Sequence, residues 1–182
     1  CNDKKATPGQ APENVSSIGP ADDHISPRDS TNEFPVVRKG PIIKGNVSPD
    51  SLVAFARTLI GVPYLYASTD PAKGFDCSGF ITYVFNHFNI VVPRSSVDFT
   101  NYGTEITTEE ARPGDLILFT GTDSTVRVVG HMGIIENVQE GQLHFIHSSS
   151  GKALGVVITS FERYYQSRFV KIIRVFPDEL FR

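Results

Sequence analysis

The sequence predicts an α+β domain, with N-terminal helices packed on a central antiparallel β-sheet and an extended tether in front. Three observations carry this expectation. Composition changes sharply near residue 48. Beyond it, apolar residues twice follow a helical period and then shorten into strand-like runs, and the last of these runs are joined by short connections. Residues 1–48 hold six of the twelve prolines, one aromatic (Phe34), and six acidic against six basic side chains. Such a stretch cannot bury enough apolar surface to offset chain entropy, so it reads as a mostly extended tether. Phe34-Pro35-Val36-Val37 and Ile42-Ile43 are its candidate docking points. Residues 49–182 carry twelve of the thirteen Phe, all six Tyr and the whole net charge of −3, and read as one domain.

Ser48-Pro49-Asp50 offers a cap ahead of Leu52, Val53, Phe55, Ala56, Leu59 and Ile60, which keep a helical period until Gly61-Val62-Pro63 ends it. A second helix follows Gly74-Phe75-Asp76, with Phe80, Ile81, Val84, Phe85 and Phe88 in one apolar stripe reaching about Asn89. Pro113-Gly114-Asp115 turns the chain into the β-run Leu116-Ile117-Leu118-Phe119. Met132–Ile135, Leu143–Ser148, Val156–Ile158 and Phe169–Val175 complete the strands, with connections of hairpin length.

Charge and cysteine usage narrow the function classes. A net charge of −3 and a pI near 5.9 provide no basic field for nucleic acid. No apolar run approaches the roughly 18–20 residues of a membrane span. The only cysteines are Cys1 and Cys77, which excludes a disulfide-rich scaffold and a four-cysteine zinc site. The expected state is a monomer.

Cys77 lies in Phe75-Asp76-Cys77-Ser78-Gly79-Phe80, at the first turn of an apolar-faced helix. Unpaired backbone N–H groups and the helix dipole there favour an anion, so the position predicts a lowered thiol pKa and a nucleophile. The alternative is a small buried hydrophobe. Of the five histidines, His131 opens one strand and His147 closes the next, with Gln139-Glu140-Gly141 between them as a turn. A hairpin centred near Gln139 sets the two directly opposite each other, with Cα atoms about 4.5–5.5 Å apart on one face. One imidazole then serves as base and the other orients it. His144 has the opposite parity and is expected to point away; His87 and His24 are expected to be solvated. A thiol at a helix N-terminus with an oriented base is the arrangement of nucleophilic acyl transfer. Two histidines and a cysteine also suit zinc, but none of the close paired spacings of a structural zinc site occurs.

Six motifs follow in order: Gly61-Val62-Pro63-Tyr64, Phe75-Asp76-Cys77-Ser78-Gly79-Phe80, Pro93-Arg94-Ser95-Ser96, Arg112-Pro113-Gly114-Asp115-Leu116, Gly130-His131-Met132-Gly133-Ile134 and Phe145-Ile146-His147. Together they resemble the NlpC/P60 peptidases, papain-like cysteine hydrolases that cut bacterial peptidoglycan stem peptides. The resemblance implies a papain-like fold, Cys77 as nucleophile, His131 as general base and acid, and His147 as third member of the triad. It also implies that Tyr64 assists the oxyanion, that Asp76 and Ser78 line the substrate groove, and that Arg94 and Ser96 stand at its edge. Packed-aromatic, helix-cap and solvated-surface readings compete for these five residues. The implied reaction needs no metal or organic cofactor: hydrolysis of the amide between D-γ-glutamate and a diamino acid such as meso-diaminopimelate.

Where the family usually continues Tyr-x-x-Gly-Gly, this chain has Tyr64-Leu65-Tyr66-Ala67-Ser68, so a differently shaped loop is expected before the nucleophile. A 48-residue polar tether is too short for the SH3-like domain of end-reading relatives, which favours an endopeptidase with an open groove. Bacterial lipoproteins also begin at an acylated cysteine ahead of a polar linker. That resemblance implies lipid on Cys1, attachment to a bacterial membrane in the cell envelope, and a flexible reach of roughly 35–40 Å. A papain-like amidase or acyltransferase, or a wall-binding module with a silent site, are the rival readings.

Overall fold

The computed structural model describes residues 47–181. The expected tether therefore lies outside the described residues, together with Cys1, His24, Phe34 and the Ile42-Ile43 pair, except for Val47 and Ser48. Those two belong to the body: Val47 packs against the core, and Ser48 caps the first helix.

Helix α1 spans Pro49–Thr58, and the Ser48 hydroxyl accepts the Ser51 N–H at 3.1 Å. Leu52, Val53 and Ala56 form its buried stripe, and the helix stops before Leu59 and the exposed Ile60. Two short strands, β1 (Thr69–Asp70) and β2 (Gly74–Phe75), form a small antiparallel ribbon that leads into α2, Cys77–His87. Phe80, Ile81, Val84 and Phe85 on α2 are wholly buried. A 3-10 helix, Ser96–Asn101, precedes β3 (Thr104–Ile106). Then come β4 (Leu116–Thr120), β5 (Val129–Gln139), β6 (Gln142–Ser149), β7 (Gly155–Ser160), the short helix α3 (Arg163–Arg168) and β8 (Phe169–Arg174).

Strands β3 to β8 form one six-stranded antiparallel sheet in the order β3-β8-β4-β5-β6-β7. The predicted α+β class holds. The expectation that the last strands are all joined as hairpins does not: β8 leaves β7 at the sheet edge and inserts between β3 and β4. Its apolar residues explain the placement. Ile172 and Ile173 point to opposite faces of the sheet, and both are buried there because both faces are covered. One face, with Leu116, Leu118, Met132, Ile134 and Ile146, packs against α1 and α2. The other, with Ile117, Phe119, Ile135, Phe145 and Ile172, is covered by Phe161 and Tyr165 from the β7–β8 crossover and by Phe169 at the start of β8.

Asp115, at the entrance to β4, is structural. Its carboxylate accepts the Arg112 N–H at 2.8 Å and two guanidinium bonds from Arg174 of β8, each 3.0 Å. This buried pair fixes the edge of β4 to β8, and the Arg-Pro-Gly-Asp motif belongs to the frame of the domain.

The β5–β6 hairpin turns at Glu140-Gly141, not at Gln139. Both residues have positive φ, +51° and +77°, as a two-residue type I′ turn requires. Pairing runs Gln139 with Gln142, Val138 with Leu143 and Asn137 with His144, then shifts by one so that Ile135 faces Phe145 and Ile134 faces Ile146. Glu136 is the extra, bulged residue. It is buried, and its carboxylate is paired with Arg57 of α1.

Candidate active site

Cys77 is the first residue of α2, and Asp76 is its N-cap, with Oδ1 accepting the Gly79 N–H at 2.6 Å. Such a cap contributes about 1 kcal/mol to helix stability. The same carboxylate is held by Arg94 through Nη2 to Oδ2 at 2.6 Å and Nη1 to Oδ1 at 3.0 Å. Arg94 Nη1 also donates to Ser78 Oγ at 3.0 Å, and Ser78 Oγ donates to Asp76 Oδ1 at 3.3 Å. Asp76, Ser78 and Arg94 thus form one network around the Cys77 backbone. The hydrogen bonds it donates to Asp76 hold the Arg94 guanidinium above its usual pKa. Ser96 starts the following 3-10 helix and makes no side-chain hydrogen bond to this network.

The sulfur of Cys77 lies at the end of β5. Its hydrogen bond among the described residues is a 3.9 Å contact to Gly130 O. Gly130 is itself the extra residue where β4–β5 pairing slips between Phe119 and Thr120, so a bulge turns its carbonyl toward α2. The backbone N–H groups of Ser78, Cys77 and Met132 favour the thiolate, as a helix N-terminus should. They do not prevail. Burial, and then the charge of Asp76, push the thiol above its ordinary value, which corrects the expectation of a lowered pKa. Tyr64 is half-buried, joined to β2 by a bridge with Phe75. Burial, and then negative charge at Cys77 and Asp76, push its hydroxyl up, so it keeps its proton as a donor.

His131 and His147 are not opposite each other. Continuing the register of Ile134 with Ile146 places Gly133 across from His147 and His131 two residues further along, on the same face. The rings span that diagonal: His131 Nε2 lies 2.8 Å from His147 Nδ1, with the ring planes at 82°. Gly133 leaves the room. A Cβ there would come within 2.7 Å of Phe145 Cδ2 and 3.2 Å of His147 Cβ. The bulge at Glu136 makes the shared face possible. In the register next to the turn, His131 and His147 would have opposite parity, and the one-residue slip restores it.

Phe119, Phe145 and Tyr165 surround the two imidazoles. Burial, with charge on His147 and Arg168 adding to it, lowers His131 well below its ordinary 6.5. Burial, and then Arg168, push His147 down to about 4. Both rings are therefore neutral near pH 7, and the Cys77 thiol is protonated. Two polar residues behind His147 escaped the sequence reading. Thr159 Oγ1 of β7 lies 2.9 Å from His147 Nε2, and the Tyr165 hydroxyl of α3 lies 3.5 Å from it. Neither carries a motif. Thr159 is reached only through the β6–β7 register, and six-residue α3 is too short to show a stripe. His144 lies on the other face of β6, paired with Asn137, and His87 is exposed and stacked on Phe55. Among the described residues no group of His, Cys, Asp or Glu is arranged to hold a metal ion.

A model of the NlpC/P60 family matches residues 61–174. The chain belongs to the NlpC/P60 family. Over 146 residues it is 33% identical to a gamma-DL-glutamyl hydrolase of Bacillus subtilis (strain 168), covering 79% of this chain and 34% of that one. Over 118 residues it is 32% identical to a probable endopeptidase NlpC of Escherichia coli (strain K12), covering 63% and 70%. The NlpC/p60 domain of the peptidoglycan hydrolase SagA superposes with a TM-score of 0.57 at 27% identity, over 70% of this chain and 99% of that domain. The chain spans about a third of the length of the Bacillus hydrolase, whereas almost all of the solved SagA domain is matched. The matched residues of this NlpC/P60 domain run from the loop before Tyr64 to the end of β8 and contain Cys77, His131 and His147.

Proposed function

We propose that this NlpC/P60 domain is a cysteine endopeptidase that hydrolyses peptidoglycan stem peptides at the amide between D-γ-glutamate and a diamino acid, meso-diaminopimelate in the first instance. The observation that carries the reading is the placement of the Cys77 sulfur against the backbone on either side of His131, whose ring is bonded to His147 at 2.8 Å. The name of the Bacillus relative, a gamma-DL-glutamyl hydrolase, supports the choice of bond.

With His131 Nε2 engaged by His147, Nδ1 is the nitrogen available to the thiol. Because burial keeps the resting pair neutral, His131 takes the proton as sulfur attacks the carbonyl carbon, and contact between them tightens when substrate binds. The oxyanion lies between the Cys77 N–H and the Tyr64 hydroxyl. Collapse of the intermediate breaks the C–N bond, and the leaving amine takes the proton from His131. Water, deprotonated by the same imidazole, then cleaves the thioester. Asp76, Ser78 and Arg94 present a fixed polar wall to the peptide.

Digestion of purified muropeptides followed by mass spectrometry tests the proposal. The expected product is a stem shortened to L-Ala-D-Glu with release of the diamino-acid peptide. A transferred acyl group would instead establish an acyltransferase, and intact stems under all conditions would establish a wall-binding module; either result overturns the proposal.

A further inference from the structure

We infer that Thr159 is a positioning residue that fixes the proton-bearing nitrogen of His147 and thereby leaves His131 free to act as a base. The inference rests on the cysteine-peptidase reading above. If His131 accepts a proton at Nδ1, its Nε2 carries hydrogen. Nε2 then donates across the 2.8 Å contact, and His147 Nδ1 accepts. A neutral His147 in that role must carry its own hydrogen on Nε2. The nearest acceptor for that hydrogen is Thr159 Oγ1, at 2.9 Å, its own hydroxyl hydrogen then turned away from the ring; Tyr165 is a weaker second at 3.5 Å.

Sheet geometry explains why a threonine on β7 can do this. Thr159 is paired with Phe145, and Val157 with His147, so Thr159 and His147 share a face and lie two residues apart on the diagonal. His131, His147 and Thr159 form a line across β5, β6 and β7, each reaching its neighbour over the same kind of offset. His147 is 1% exposed, so water is a poor substitute on Nε2. With the hydrogen on Nδ1 of His147 instead, Nε2 of His131 becomes the acceptor, Nδ1 carries the hydrogen, and the base faces the thiol with no lone pair.

The tautomer can be read directly. In protein labelled with 15N-histidine, long-range 1H–15N correlation spectra distinguish Nε2–H from Nδ1–H, and loss of signals in His147→Gln assigns the ring. The wild type is expected to show Nε2–H on His147 at pH 7.5. Thr159→Val, which keeps the shape and removes the oxygen, should mix the two tautomers and lower kcat on the order of 10-fold to 100-fold with KM unchanged. Thr159→Ser should restore both spectrum and rate, and Tyr165→Phe should leave the His147 signals in place. A wild-type spectrum showing Nδ1–H on His147, or a Thr159→Val protein with wild-type spectrum and rate, overturns the inference. If hydrolysis survives Cys77→Ala, it is the peptidase reading that fails, while the spectra still report on Thr159.

Discussion

His131 and His147 sit two residues out of register across β5 and β6, and their rings close the offset to 2.8 Å. The pair is a diagonal contact, made by two long flat side chains over a position that has none. Its chemistry differs from that of a histidine backed by a carboxylate. The partner is neutral, and Arg168 adds positive charge nearby, so in the proposed mechanism an imidazolium on His131 would give its proton up readily to the leaving amine.

Loss of either end of the Cys77–His131 unit is expected to be equally damaging. Cys77→Ala and His131→Ala should each lower kcat/KM to background while circular dichroism stays unchanged, and the double variant should be no worse than either alone. His147→Ala should lose most activity, whereas His144→Ala, on the other face of β6, should remain active. Assay of the four proteins on one muropeptide checks this; an inactive His144→Ala beside an active His147→Ala would contradict the observed register.

The acid limb of kcat/KM is expected well below pH 6.5. The base must be unprotonated, and His131 has its folded pKa lowered, so activity is full near pH 6.5 and falls only as pH drops through the lowered value. Arg168→Gln removes one cause of the lowering and should move the limb toward higher pH. A limb at or above the ordinary histidine value in the wild type would show that the buried pair is stabilised as a cation.

Gly133→Ala tests the diagonal. The new Cβ would lie 2.9 Å from the Ile146 carbonyl oxygen as well as against Phe145 and His147, and the strand backbone cannot yield cheaply. Destabilisation by about 1–3 kcal/mol is expected. Displacing His147 by even 1 Å should cost on the order of 100-fold in kcat. Urea unfolding and steady-state kinetics measure the two separately, and unchanged kcat would show that the ring contact tolerates a shifted strand.

Asp76→Asn should make the thiol more acidic. The amide oxygen can still cap α2, but the negative charge that helps raise the Cys77 pKa is gone. The midpoint of the iodoacetamide alkylation rate against pH should move down. Arg94→Ala, which uncovers the Asp76 charge, should move it up. Identical shifts in the two variants would mean that they act through the fold of the loop instead of through charge.

Much of this site was legible in the sequence because its strongest signals are local. Ser48 and Asp76 announce helices by hydrogen bonds made within three residues, and the apolar stripe behind Cys77 fixes which way α2 faces. What was not legible depends on pairing over distance. Gln139-Glu140-Gly141 permits more than one turn, and choosing Gln139 as its centre placed His131 opposite His147 when Gly133 holds that position. The face was right because the misplaced turn and the bulge at Glu136 together shifted the pairing by two residues, an even number. The crossover that puts β8 between β3 and β4 has no local mark at all, because the run Phe169–Arg174 reads the same beside either neighbour. The direction of the Cys77 pKa was missed for a related reason: the dipole at a helix N-terminus is local, whereas the burial that outweighs it is supplied by the rest of the fold.

The bulge at Glu136 makes the catalytic pairing a matter of counting. Sixteen positions separate His131 from His147, and a two-residue turn alone would assign them to opposite sides of the sheet. Looping Glu136 out of the ladder restores the shared face. Replacing the Glu136 side chain costs the pair with Arg57 but keeps the count, so the histidines still meet. Deleting the residue removes the bulge and leaves Ile135 facing Phe145 across the same turn, so His131 and His147 keep their shared face. In this hairpin the ring contact depends on Glu136 being looped out of the ladder: threading it back into regular pairing, with the turn unchanged, would turn His131 and His147 to opposite faces.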